Sequence, residues 1–294
     1  MNIVLTGATG FLGSVLARKL VAKGIQVFAI TRTTSQTRRI DELRENPLFK
    51  TVTKEELAKT FEKNPIDAVI HVATCLGRNG ESPEEIEEAN IRFPLSLLDL
   101  AIAHGVDLFI NTDTFLEKAD SLDKNHQYLK TKKAFLAEAL ARSLASTHFA
   151  NVKIYQMYGP DDNPTKFIPF LIKEFLSNKP RIPLNPGLQE RDYVYVDDVA
   201  ESYLAILSHR NALSPKEHFD IGNGKVFTLK AVVELIQSLT TSTSVPGFGD
   251  LAYGSSETMY AIADTTNNKK IHWEARMSLE EGLQKTVAFY KKAV

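Results

Sequence analysis

The chain has 294 residues, a formal net charge of −1, 43% hydrophobic and 24% charged residues, and a single cysteine, Cys75. This composition excludes disordered, collagenous and disulfide-stapled proteins, and the near-zero charge gives no general attraction to nucleic acid or to an anionic membrane. No apolar stretch approaches the roughly 20 residues of a membrane span. Because no signal peptide precedes the first strand-like run and a lone cysteine fits a reducing compartment, we expect a cytoplasmic protein.

Short apolar runs alternate with helical patterns over the first two thirds of the chain. This alternation is typical of parallel strands joined by helices, and strands that are apolar almost throughout are covered on both faces. We predict strands at Asn2–Thr6, Gln26–Thr31, Phe49–Thr53, Asp67–Ala73, Asp107–Thr112 and Asn151–Tyr155. The predicted fold is therefore α/β, with a Rossmann-type doubly wound parallel sheet.

A second, smaller domain is indicated where the alternation stops. After Tyr158-Gly159-Pro160 the sequence becomes rich in proline before shorter helical and strand patterns resume, which favours a mixed α/β substrate-binding domain. We place the cofactor-binding domain at residues 1–155 with about 190–212. The second domain takes about 156–189 with 213–294.

Glycines spaced three apart follow the first predicted strand and open a helix with leucines every four residues. The first glycine permits a tight turn, the second lets the backbone approach a pyrophosphate, and the third lets helix and strand pack closely. The helix N-terminus adds N–H groups that attract phosphate. This pattern predicts dinucleotide binding, with contacts from Gly7, Thr9, Gly10, Phe11, Leu12 and Gly13.

The end of the second predicted strand indicates which dinucleotide binds. An acidic residue there would hydrogen-bond a ribose 2′-hydroxyl and favour NAD, but the sequence has Thr31 and Arg32 and no carboxylate. The planar guanidinium of Arg32 suits a 2′-phosphate, with Thr31 as a further donor. We therefore predict NADPH rather than NAD, the alternative being that Arg32 is a solvated loop residue.

Tyr128 and Lys132 are four residues apart in a long helical pattern, so their side chains project from the same side. A lysine ammonium beside a phenol favours the phenolate, and we expect it to lower the pKa of Tyr128 toward a range useful for proton transfer. Such a pair alone is usually a surface pair. Together with the glycine loop, the pair indicates a catalytic site.

With these motifs the chain resembles the extended short-chain dehydrogenase/reductase family, also called the NAD-dependent epimerase/dehydratase family. The resemblance also includes residues 67–74, 158–160, 191–200 and 219–224. It implies that Tyr128 is the catalytic acid/base, that Lys132 holds the nicotinamide ribose and that Arg191 binds the diphosphate of a nucleotide sugar. It further implies that four consecutive residues line the cofactor, namely His71, Val72, Ala73 and Thr74.

The family's third catalytic group is a hydroxyl after the fifth strand. We assign it to Thr112, because this alignment places Phe115 and Leu116 where hydrophobic and tyrosine residues follow in relatives. Thr114 remains an alternative, and either threonine could simply cap backbone groups at the strand end. The predicted substrate contacts are Asp113, Thr114, Gln156 and Arg191.

The segment from Thr112 to Thr114 also indicates which of the family's reactions the chain catalyses. Its sugar 4,6-dehydratases carry threonine, aspartate and glutamate in succession, and Thr114 stands in the glutamate position, so dehydration is disfavoured. Epimerases and dehydratases of the family keep their NAD bound, whereas a net reductase must bind a new NADPH in each turnover. Because Arg32 suits NADPH, it favours a net reductase. A narrower resemblance is to family members that reduce the 4-ketone of CDP-4-dehydro-3,6-dideoxy-D-glucose in the synthesis of surface polysaccharides. It lies in residues 94–102, 111–115 and 166–169.

Two alternatives stay open, an NAD-retaining nucleotide-sugar 4-epimerase and a non-catalytic NADP-sensing protein of the same fold. The seven histidines show no pair with metal-ligand spacing, so we expect no metal. The expected partner is a nucleotide sugar rather than nucleic acid or a membrane. The resemblance implies a homodimer formed by the helices after Ser82 and Tyr128, the alternative being that the apolar residues of these helices face only the sheet.

Overall fold

A computed structural model describes residues 1–78, 80–116, 126–255 and 257–292. The strands among them are β1 (Asn2–Thr6), β2 (Gln26–Ile30), β3 (Phe49–Val52), β4 (Ala68–His71), β5 (Leu108–Thr114), β6 (His148–Ile154), β7 (Gln156–Tyr158), β8 (Arg181–Leu184), β9 (Glu190–Tyr195), β10 (Lys216–Ile221), β11 (Val226–Thr228), β12 (Val245–Phe248) and β13 (Tyr260–Ala261).

The α-helices are α1 (Phe11–Ala22), α2 (Leu57–Lys63), α3 (Pro83–Glu87), α4 (Phe93–Ala103), α5 (His126–Ala141), α6 (Phe167–Leu176), α7 (Val196–Ser208), α8 (Leu229–Thr240) and α9 (Leu279–Lys291). A π-helical turn, Glu88–Arg92, joins α3 to α4. Among the described residues, no helix has the length and apolar character needed to cross a membrane.

The chain divides into two compact units. Unit 1 consists of Met1–Lys153, Ala200–Phe219 and Asn267–Trp273, and unit 2 of Ile154–Val199, Asp220–Thr266 and Glu274–Val294.

A seven-stranded sheet with strand order β10-β6-β5-β4-β1-β2-β3 forms the centre of unit 1. The pairings from β3 through β2, β1 and β4 to β5 are parallel. This arrangement confirms the predicted Rossmann-type fold. Strand order reverses beside β1, with β2 on one side and β4 on the other, and the carboxyl ends of strands at such a reversal are where α/β proteins bind ligands.

The core of unit 1 explains why these segments are almost continuously apolar. The helix α1 buries Leu12, Leu16 and Leu20, as its four-residue spacing predicts. Phe109 on β5 stacks on Phe149 of β6, with 5.8 Å between ring centroids. Because both faces of the sheet are covered, its strands lack the alternation of a half-exposed sheet.

Unit 2 is built on β9, which pairs with β7, β11 and β13, and on a separate pair formed by β8 and β12. The helices α6, α8 and α9 contribute to its apolar core. The fully buried Asp192 of β9 accepts hydrogen bonds from the backbone N–H groups of Asn223, Gly224 and Ala263. These contacts connect β9 to the rest of unit 2. Residues 190–199 belong to unit 2, whereas the division predicted from the sequence gives them to the cofactor domain.

Candidate active site

The glycine loop after β1 has a backbone that larger residues could not adopt. Gly7 has φ of +72°, and a Cβ atom there would lie 2.8 Å from the backbone nitrogen of Ala73. A Cβ on Gly13 would lie 2.0 Å from the Gly7 carbonyl oxygen. Gly10 is the N-cap residue of α1 and provides no side-chain cap, and the first turn of the helix contains no acidic residue. The loop therefore suits the close approach of an anionic group to the helix N-terminus.

Thr6 ties the glycine loop to the residues that follow β4. Its Oγ1 accepts hydrogen bonds from the N–H groups of Val72 (3.1 Å) and Ala73 (3.0 Å), and it lies 2.9 Å from Nδ1 of His71. Since this hydroxyl already accepts two protons, we infer that it donates its own to His71. Burial, together with the charge of Lys132, lowers the pKa of His71 to about 3, so its imidazole is neutral.

Asn90, in the π-helical turn, joins the same segment to α5. Its Oδ1 accepts from the Cys75 N–H (2.8 Å) and from the Thr74 hydroxyl (3.1 Å). Its Nδ2 donates to the Cys75 carbonyl (2.8 Å) and to Thr131 Oγ1 (3.0 Å), and Thr131 in turn donates to the Tyr128 carbonyl (2.8 Å). The predicted cofactor segment and the predicted catalytic helix thus share one buried amide, which the sequence did not indicate.

Tyr128 and Lys132 are both buried on α5. Burial and the negative charge of Asp113 raise the pKa of Tyr128 to about 12, and they outweigh a hydrogen bond with Thr114 and the charge of Arg78. The prediction of a lowered pKa is therefore wrong for this structure. The Lys132 ammonium donates instead to the Thr112 carbonyl oxygen at 2.5 Å, and burial lowers the pKa of Lys132.

The two candidate threonines contact different tyrosines. They lie two residues apart at the end of β5, so both side chains point to the same face of the strand. Thr112 Oγ1 lies 2.7 Å from the hydroxyl of Tyr203 on α7, whereas Thr114 makes the hydrogen bond with Tyr128. Thr114 is thus the hydroxyl that contacts the phenol in this structure. The assignment of the catalytic hydroxyl to Thr112 stays a prediction.

Asp113, between the two threonines, makes its contacts with the chain itself. One carboxylate oxygen accepts from the Thr114 N–H (2.8 Å) and the other from Nδ2 of Asn151 (3.0 Å). Asn151 also accepts a hydrogen bond from Asn111 (2.6 Å). A contact between Asp113 and substrate stays a prediction, and its described partners give it a structural role.

Arg32 is exposed just after β2, and its backbone N–H donates to Ser35 Oγ at 3.1 Å. Burial raises the pKa of the Cys75 thiol, and the positive charge of Arg32 opposes this shift, so the guanidinium lies near the segment after β4. No side chain in the described ranges forms an ion pair with Arg32. This leaves its charge available to an anionic ligand.

Unit 2 contains a cavity of about 400 Å³. Its lining residues are Gln156, Phe167, Phe170, Pro183, Leu184, Asn185, Gln189, Arg191, Tyr193, Leu229, Leu251, Ala252 and Glu257. The predicted substrate contacts Gln156 and Arg191 therefore lie in one pocket.

Arg191 is buried, with Nη2 2.5 Å from Glu257 Oε1 and Nη1 donating to the Glu190 carbonyl at 2.9 Å. Burial lowers the pKa of Arg191, and the charge of Glu257 opposes this shift.

Three contacts of the site had no signal in the sequence. Asn90, Tyr203 and Glu257 stand outside the recognised motifs, and each meets a predicted site residue or segment far away in the chain. For metal binding, the described ranges contain no cluster of three or more His, Cys, Asp or Glu side chains placed to hold an ion.

Known proteins similar to this chain include enzymes that act on nucleotide sugars. A CDP-abequose synthase of Salmonella typhimurium is 31% identical over 296 residues, covering 96% of each chain. A UDP-glucuronate 4-epimerase of Thermodesulfobacterium geofontis is 28% identical over 317 residues, covering 99% of this chain and 96% of the relative.

Comparison of structures also finds an enzyme that acts on a nucleotide sugar. The crystal structure of UDP-glucose 4-epimerase from Thermotoga maritima with UDP-glucose matches with a TM-score of 0.83 and 25% identity, covering 100% of this chain and 99% of the other. The sequence model of the NAD dependent epimerase/dehydratase family matches residues 3–222. The chain therefore belongs to the NAD dependent epimerase/dehydratase family.

Proposed function

We propose that this protein reduces the C4 ketone of a nucleotide-linked deoxysugar with NADPH. The carrying observation is that Tyr128, Lys132 and the two threonines of β5 are held together by hydrogen bonds in unit 1. The similarity to CDP-abequose synthase over nearly the whole chain supports CDP-4-dehydro-3,6-dideoxy-D-glucose as the substrate.

The residues around the glycine loop fit a dinucleotide phosphate. The space that a Cβ on Gly7 or Gly13 would fill is taken by backbone, so the loop packs tightly against its neighbours. The N-terminus of α1 has no side-chain cap, and its N–H groups would bind a pyrophosphate. Arg32 would hold a 2′-phosphate, and residues 71–74 would line the cofactor. When bound, NADPH supplies the hydride for reduction of a carbonyl carbon.

Tyr128 would act as the general acid. Hydride addition to the ketone carbon leaves an alkoxide on the C4 oxygen, and the Tyr128 O–H gives that oxygen its proton. With a pKa raised to about 12, the phenol is fully protonated at neutral pH before the reaction. The resulting phenolate takes a proton back from solvent, so the residue is regenerated. The hydroxyl of Thr112 would stabilise the developing negative charge.

The pocket of unit 2 would bind the nucleotide part of the substrate. Its volume of about 400 Å³ is in the range of small-molecule sites. Arg191 offers a guanidinium fork that suits a phosphate oxygen pair, and Gln156 offers an amide for neutral polar groups. The nucleotide-sugar relatives support this assignment.

The test is NADPH oxidation, followed at 340 nm, with CDP-4-dehydro-3,6-dideoxy-D-glucose and with its UDP- and dTDP-linked counterparts. We expect turnover with NADPH in preference to NADH, and a loss of roughly 10²-fold or more in Tyr128→Phe. Tyr260→Phe, at an exposed tyrosine of β13, is the matched control and should keep full activity. Turnover that survives intact in Tyr128→Phe would contradict the mechanism.

A 4-epimerase is the second candidate, because the relatives include 4-epimerases of UDP-glucuronate and UDP-glucose. It predicts NAD that co-purifies with the protein, and sugar interconversion without net consumption of NADPH. An NADP sensor would instead bind the dinucleotide equally well in Tyr128→Phe and turn over no sugar. Product NMR separates these outcomes and also gives the stereochemistry at C4.

We also propose a cytoplasmic homodimer formed through the helices after Ser82 and Tyr128, which are α3 with α4 and α5. Leu140 on α5 is 40% exposed, which is consistent with an apolar contact surface on that helix. Light scattering of the wild-type protein and of Leu140→Glu tests this assembly. A wild-type mass of one chain would refute it.

A further inference from the structure

The helix α7 carries a tyrosine outside all the motifs, whose hydroxyl meets the catalytic strand. Tyr203 has no solvent exposure, and its hydroxyl lies 2.7 Å from Thr112 Oγ1. The backbone carbonyl of Thr112 accepts the bond from Lys132 at 2.5 Å. Thr112 is therefore held at two points, its main chain by the catalytic lysine and its side chain by a buried phenol.

The direction of the Tyr203 hydrogen bond follows from burial. A buried phenol O–H needs an acceptor, because leaving it unsatisfied costs about 1–3 kcal/mol. Among the described residues, Thr112 Oγ1 is the acceptor that this hydroxyl reaches. Burial also raises the pKa of Tyr203, so its proton stays in place at neutral pH. Tyr203 is thus the donor and Thr112 the acceptor.

The direction of this hydrogen bond determines whether Thr112 can donate its own proton to another group. A threonine hydroxyl has one proton to donate and two lone pairs to accept with. Because one lone pair is used by Tyr203, the Thr112 proton points elsewhere and can be donated to another oxygen. Thr114 is in a different situation, since its side chain contacts the Tyr128 phenol. The two threonines would therefore serve different functions.

We propose that Tyr203 is a positioning residue which, by donating its hydroxyl proton to Thr112, fixes Thr112 as a hydrogen-bond donor toward the C4 oxygen of the substrate. This inference rests on the proposed function and assigns a role to a residue that no motif identifies. No covalent step is added, since Tyr203 keeps its proton and only the orientation of the Thr112 hydroxyl depends on it.

The test is a double-mutant cycle with Tyr203→Phe, which removes the hydroxyl and keeps the ring. We expect kcat to fall roughly 5- to 10-fold, the size of one lost hydrogen bond, with KM and the Kd for NADPH within about twofold of wild type. In a Thr112→Val background, Tyr203→Phe should have no further effect on kcat. In Thr112→Ser, which keeps the hydroxyl, the effect should return.

Tyr158→Phe is the matched control, because Tyr158 is also buried and its hydroxyl donates to the Leu279 carbonyl at 3.3 Å. It should change thermal stability without changing kcat. An unchanged kcat in Tyr203→Phe, or an equal loss in the Thr112→Val background, would overturn the inference while the proposed function stands. A wild-type protein that turns over no nucleotide-linked 4-keto sugar would refute the proposed function itself.

Discussion

The Thr6 hydroxyl holds the two predicted cofactor segments together, and Thr6→Val removes it while keeping the side-chain shape. The variant leaves two backbone N–H groups and His71 Nδ1 without their partner. At about 1 kcal/mol for each hydrogen bond, the loss in free energy of unfolding is about 3 kcal/mol, reduced to about 2 where water replaces the threonine at the half-buried Val72 and Ala73.

Urea unfolding followed by tryptophan fluorescence measures this loss. The fluorescence reports on unit 1, because the single tryptophan, Trp273, belongs to that unit. Thr6→Ser keeps the hydroxyl and should stay within about 1 kcal/mol of wild type. We also expect NADPH binding, titrated by fluorescence, to weaken in Thr6→Val and to persist in Thr6→Ser. A Thr6→Val protein within about 0.5 kcal/mol of wild type would refute the reasoning, because that is the range of ordinary surface substitutions.

Three further predictions concern the glycine loop, acid stability and the pocket. Gly13→Ala should abolish measurable NADPH binding in a fluorescence titration, because its Cβ would lie 2.0 Å from the Gly7 carbonyl oxygen. Burial alone would raise the pKa of Glu217, but hydrogen bonds from Ser214 and neighbouring side chains lower it from 4.5 to about 2. Its stabilisation is therefore complete above pH 4.5 and lost as the pH falls toward 2, so Glu217→Gln should cost about 2 kcal/mol at pH 7 and much less at pH 3 in urea unfolding. Glu257→Gln should tighten CDP binding severalfold in calorimetry, because it removes the anion that competes for Arg191; weaker binding would contradict this.

The features predicted from the sequence are those that depend on local spacing. The position of Gly7 after an apolar run indicated a tight turn, and the position of Gly13 in the leucine-periodic helix indicated close packing against that turn; the structure has both features. Tyr128 and Lys132 share a helix, so their four-residue spacing alone placed them together. Both inferences needed no knowledge of the remainder of the fold.

The features that could not be predicted depend on contacts between distant parts of the chain. The contact between Thr112 and Tyr203 joins residues 91 positions apart, and Arg191 meets Glu257 across 66 positions. The pKa of Tyr128 was predicted in the wrong direction for the same reason. Its burial and the charge of Asp113 arise from the packing of α5 against β5, and together they exceed any effect of the neighbouring lysine.

The interleaved make-up of the two units has a consequence for how the protein is synthesised. Unit 1 is assembled from three separate stretches, the last ending at Trp273, and its sheet takes β10 from the second of them. A ribosome must therefore synthesise the chain through Trp273 before unit 1 has all its parts, and the first two stretches of unit 2 have been made by then. A fragment ending near residue 153 would expose the edge of β6 that β10 covers in the intact protein, and such an edge promotes aggregation.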